Sequence, residues 1–153
     1  MAENDNTYFI ETISLTPAST QLGMAAALAK AAKENWEVTI CIADAGGVPL
    51  HVQRTANAFA ASYDIACGKA KSAAIFAKNT GGLETAVNGG RSALLSSPFL
   101  LMRGGVPILY KGQVCGSVGV SGVQADQDEA VAQAAVNAMN QVLGPIPEMR
   151  SRL

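Results

Sequence analysis

Aromatic side chains are scarce: one Trp, three Tyr and four Phe make up 5% of a 153-residue chain. The core must therefore come from small and aliphatic groups, which favours helices and sheets that approach closely. Charge is also sparse, at 15% of residues with a formal net charge of −1. No basic field exists to draw in nucleic acid or anionic lipid, so neither is an expected partner. Cysteine is limited to Cys41, Cys67 and Cys115, far apart and without a CxxC pair, and His51 is the only histidine. That set does not make a Cys/His metal cluster, and the three read as buried, reduced thiols. No uninterrupted apolar run approaches the roughly 20 residues that span a bilayer. The opening MAENDNTYFIETISLT has neither a basic nor an apolar stretch, so it does not read as a secretory signal. A cytoplasmic location is the expectation.

What is abundant is alanine and glycine, within a hydrophobic share of 49%. The length suits one domain. Residues 1–13 read as a tail or short lead-in strand, 14–145 as the domain and 146–153 as a C-terminal tail. Thr16-Pro17 is a helix start, with a capping hydroxyl followed by proline at the first helical position. The helix runs to about Lys33, and Leu22, Ala25, Ala29 and Ala32 supply an apolar stripe. EVTICIAD then alternates: Val38, Ile40 and Ile42 point one way, Thr39, Cys41 and Ala43 the other. The turn Asp44-Ala45-Gly46-Gly47 leads into VPLHVQR, giving a hairpin.

A second helix is predicted from near Ser62 through Lys78, its small face (Ala66, Ala70, Ala73, Ala74, Ala77) against the sheet. A short helix fits between Gly81-Gly82 and Gly89-Gly90. FLLM, GGVPILY and QVCGSVGVSG read as two or three strands, the last two joined at Lys111-Gly112. Asp126 and Glu129 resemble a capping box opening a helix through about Leu143, ended by Gly144-Pro145. Consecutive hairpins among helices predict an α+β fold with an antiparallel sheet.

Five segments, in order, resemble the GlcG/HbpS family, which includes the C-terminal domain of PduO proteins. They are LTPASTQLGMAAALAKAA, VTICIADAGGVPLHVQR, SYDIACGKAKSAAIFAKNT, GGVPILYKGQVCGSVGVSG and QADQDEAVAQAA, spanning about residues 14–143. The resemblance implies a profilin-like fold: a five-stranded antiparallel sheet with helices on its faces, assembled as a homo-oligomer, a dimer or larger ring. It also implies proximity to glycolate, glycerol or propanediol metabolism, binding of haem or corrinoid, and a proposed haem-degrading activity. Arg54 matches an arginine of the family pattern, although Thr55-Ala56-Asn57-Ala58 follows it where the family has a Met-Asp-Gly-Ala-like stretch. Lys69 and Lys71 match the family's Lys-Ala-Lys/Arg pattern.

Several residues can carry chemistry. Asp44 either closes its own turn or presents a carboxylate to a pocket. Arg54 can clamp a carboxylate or haem propionate with its planar fork, or simply pair at the surface. His51 can be a packing residue, an axial haem ligand or a proton-transfer base. Lys69 and Lys71 diverge by about 200° on a helix, so at most one faces a given site. Thr80 either caps the short helix or offers a hydroxyl to an anionic oxygen or iron. Gly104, Gly105 and the Ser121-Gly122 corner match no phosphate-loop spacing and suit close approach to a neighbour or ligand. Ser121 lacks a nucleophile elbow. The acidic run Asp126-Gln127-Asp128-Glu129 reads mainly as helix capping.

Two functional readings follow, with a third, an assembly partner without chemistry, behind them. In the first, the protein holds haem or a related tetrapyrrole at an oligomer interface, with Arg54 and Lys71 near the propionates and His51 or Thr80 at the metal. In the second, a cofactor-free isomerase, lyase or hydratase binds an organic acid at Arg54 and moves a proton with His51 or Asp44.

Overall fold

The protein is described by a computed structural model covering residues 8–143. The expected stop at Gly144-Pro145 and the C-terminal tail lie outside the described residues. The chain forms α1 (Pro17–Lys33), β1 (Thr39–Asp44), β2 (Pro49–Arg54), α2 (Ser62–Phe76), α3 (Thr80–Asn88), a 3-10 turn (Ser92–Ser96), β3 (Gly105–Tyr110), β4 (Gln113–Ser121) and α4 (Ala125–Leu143). The strands pair antiparallel throughout, in the order β2-β1-β4-β3. This is the expected α+β class, with helices on both faces of one sheet.

The alternation in β1 divides two cores. Val38, Ile40 and Ile42 join Val106, Ile108, Val118 and Val120 under α1 and α4. Cys41 and Ala43 face the other way, onto Ala66 and Ala70 of α2. The α2 side is closely built, as its alanines require. A Cβ at Gly119 would fall on Ala66 O and Ala70 N, and Ser117 Oγ donates to Ala70 O at 2.6 Å. Ala77 departs from the expected small face: it is exposed, with φ +52°, and caps α2 at Phe76, short of Lys78.

Four other expectations are corrected. The sheet has four strands among the described residues, not five. The FLLM segment forms no strand: Phe99 meets Phe76 of α2 edge-on at 5.4 Å, and the backbone N–H of the following Arg103 donates to Glu84 Oε2 of α3 at 2.8 Å. The buried stripe of α1 is Thr20, Gly23, Met24, Ala27 and Ala31, while Leu22 is 40% exposed. Gly23 sets that rotation, since a Cβ there would sit 2.7 Å from Met139 Cε of α4. At the start of α4, Asp126 and Glu129 do not form the capping box. Gln127 Oε1 accepts from Gln124 N at 3.2 Å, and Asp128 Oδ1 accepts from Val123 N at 3.1 Å. The Thr16 cap is as expected and reciprocal: Thr16 Oγ1 accepts from Ser19 N, and Ser19 Oγ accepts from Thr16 N.

Candidate functional site

After α3, the chain crosses back over the outer face of α2 through residues 97–103. Gly68 permits the approach, since a Cβ there would lie 3.0 Å from Leu100 Cδ2. Phe99 and Leu100 become a ridge with a trough on each side. The first, about 270 Å³, is lined by Asp64, Ile65, Lys71 and Ser72 of α2. The second, about 290 Å³, is lined by Val87, Leu95, Leu101 and Met102. Both are mostly apolar. Lys71 is exposed, and its stem packs where a Cβ on Gly47 would be. The Ser72 and Ser97 hydroxyls are buried without a hydrogen-bond partner, an arrangement that ordinarily costs about 1–3 kcal/mol each.

The divergence of the two lysines is realised. Lys71 faces outward, whereas Lys69 is 2% exposed, with Nζ donating to Asp128 Oδ2 and to Val120 O, both at 2.9 Å. The pair bolts α2 to the first turn of α4. Burial pushes the Asp128 carboxyl above the usual carboxylate range, and Lys69 offsets part of that rise. Arg103 lies 3.9 Å from Glu129 alongside. Asp128 was legible only as a helix-capping charge; the signal for Lys69 was its place within the Ala66-Ala70-Ala73 stripe.

The remaining candidates do not converge on the troughs. Asp44 Oδ1 accepts from Gly46 N and Val48 N, both at 2.9 Å, so its carboxylate is engaged in the turn. His51 is half-buried opposite Ile42, on the α1 side of the sheet. Arg54 is exposed opposite Thr39, which bonds Ser62 of α2, on the other side. Strand pairing thus puts His51 and Arg54 on opposite faces. Thr80 is fully buried and does not cap α3; its Oγ1 accepts from Gly105 N at 2.8 Å. Gly104 adopts φ +127°, and a Cβ there would lie 2.8 Å from Lys69 Nζ. Gly104 and Gly105 therefore make room for Lys69 and Thr80 of the chain itself. Ser121 is buried at the end of β4, opposite Thr39.

Residues 15–137 match the family described as haem degrading protein HbpS-like. The chain belongs to the HbpS-like family. It is 42% identical to protein GlcG of Escherichia coli K12 over 99 residues, 64% of this chain and 74% of that protein. The crystal structure of Klebsiella pneumoniae protein ORFY superposes with a TM-score of 0.78 at 33% identity, covering 85% of this chain and 94% of that one. A crystal structure of a PduOC–haem complex gives 0.76 at 27% identity, covering 84% and 96%. The five segments that carried the resemblance fall within this match or at its ends. Among the described residues, no helix is long and apolar enough to cross a membrane.

Proposed function

We propose that the chain binds haem or a related tetrapyrrole in the paired troughs beside α2. Such a ligand is a flat apolar body with an anionic edge. It asks for apolar walls, a cation near the propionates and a donor for the iron. Ile65, Phe99, Leu100 and Leu101 provide walls. Lys71 provides an exposed ammonium, with the unpartnered Ser72 hydroxyl next to it. Met102, 44% exposed, brings a thioether to the second trough, a donor type that haem iron accepts. Bound haem supplies redox chemistry at its iron, and these side chains bind and orient it. The donors expected from sequence do not line the troughs: His51 lies on the α1 side of the sheet, and Thr80 is buried against Gly105.

The observation that carries this reading is the apolar double trough with Lys71 at its edge. One solved structural neighbour holding haem adds support. The family description extends the reading to haem degradation, which troughs open to solvent permit. Exposed Leu50, Phe59 and Tyr63 support self-association. The cofactor-free enzyme has less support, since Arg54 and His51 occupy opposite faces and Asp44 is held in its turn.

Haemin titration followed at the Soret band tests the proposal. Saturable binding is expected, weakened about tenfold by Lys71→Glu, equivalent to about 1.4 kcal/mol, and unaffected by His51→Ala. No saturable change at micromolar haemin, or binding lost in His51→Ala and untouched in Lys71→Glu, would reject it.

A further inference from the structure

The sheet has two edges, and the fold closes only one of them. Along β3, Val120 N donates to Gly104 O at 3.0 Å, so alternation turns the backbone groups of Gly105 and Pro107 away from β4. Gly105 N is already bonded to Thr80 Oγ1, and Pro107 has no N–H, so this edge offers little to another strand. Along β2, Thr55 N donates to Val38 O at 2.9 Å. The same alternation turns the N–H and C=O of Val52 and Arg54 outward, and among the described residues no strand lies beside them. Leu50 and Arg54 are exposed there, and β2 contains no carboxylate. Before α1, residues 8–13 form neither helix nor strand, and Phe9 and Ile10 are 77% and 82% exposed. Large apolar groups held together in water mark an interaction site. We propose that residues 8–13 of one copy add as an edge strand to β2 of a second copy, reciprocally, in a homodimer.

Leu15 roots the segment in its own chain: a Cβ on Gly116 of β4 would lie 2.5 Å from Leu15 Cδ1. A strand beside β2 runs three strand spacings, about 14 Å, from β4. Ile13, two residues from Leu15, reaches at most about 7 Å. The whole segment therefore cannot lie along the β2 edge of its own chain, whereas a second copy can bring its edge to the segment. The two surfaces also match in chemistry. When extended, Phe9, Glu11 and Ile13 alternate onto one face, which sets two large apolar groups beside Leu50 and Val52 and the Glu11 carboxylate beside Arg54. Arg54 has no ion pair among the described residues. Backbone bonds at Val52 and Arg54 supply affinity in such strand addition, and the alternating side chains supply selectivity.

This pairing does not depend on haem, and the test uses the full chain without it. Analytical ultracentrifugation should show a dimer. Glu11→Arg and Arg54→Glu should each weaken it about tenfold, since either substitution sets like charges together at both arms. An equimolar mixture of the two variants should restore wild-type association, because each arm then meets its complement on the other copy. In the double variant Phe9→Asp/Ile10→Asp, with the far-ultraviolet circular dichroism unchanged, the Val52 and Arg54 amides should exchange with deuterium faster than in the wild type. A wild-type monomer at sub-millimolar concentration would overturn the proposal. So would single charge variants that associate as tightly as the wild type, a mixture no tighter than its components, or Val52 and Arg54 exchange unaltered by the arm substitutions.

Discussion

Lys69 holds an ammonium where almost no water reaches, answered by Asp128 at 2.9 Å and by one carbonyl. A buried pair adds little over an apolar replacement, but removing one member strands the other charge. Lys69→Met should therefore cost about 3 kcal/mol in urea unfolding, and adding Asp128→Leu should restore most of the loss. Equal losses in the single and double variants would contradict this pairing. Thr80→Val leaves Gly105 N without its acceptor and should cost about 2 kcal/mol. Ser72→Ala removes a hydroxyl that has no partner, so its unfolding midpoint should not fall. At this scale the sequence showed that Lys69 and Lys71 diverge, because helical geometry alone requires it. It could not show that Thr80 bonds Gly105, since that contact joins residues 25 apart and depends on the packed fold.

Elements were legible where their cause is local. The Thr16 hydroxyl, Pro17 behind it and the alternation of β1 all act within a few residues, and each appears as expected. The face of α1 was misread because helical spacing allows several stripes in an alanine-rich helix, and Met139 of α4 selects the one containing Gly23. That selection has a measurable consequence. Gly23→Leu forces the α1–α4 contact apart and should lower stability by about 2 kcal/mol despite better helix propensity. Leu22→Ala, on the half-exposed side, should change it by less than about 0.5 kcal/mol. Thermal melts of the two variants separate the readings; a larger loss for Leu22→Ala would restore the original stripe. The FLLM segment is a short apolar run, yet its Phe99 packs on Phe76 of α2 rather than in the sheet. A short apolar run does not by itself distinguish a strand from other buried chain, and what its side chains meet decides between them.

For the whole molecule, family and class were legible because five short segments stand in one order along the chain. The proposed site is legible only in part. Lys71 is named through the family's Lys-Ala-Lys/Arg pattern, but the ridge of Phe99 and Leu100 arises from a crossing that no local pattern announces. Arg54, His51, Asp44 and Thr80 have suitable chemistry, and the fold distributes them over a turn, two sheet faces and a buried joint. The central claim is therefore about place: the ligand rests on the outer face of α2, against residues 97–103. Ferric haem is paramagnetic and broadens nearby amide resonances. Added in substoichiometric amounts to isotope-labelled protein, haemin should first broaden Ile65, Gly68, Leu100 and Met102, leaving β2 sharp. Broadening centred on His51 and β2, with the α2 signals intact, would contradict the account.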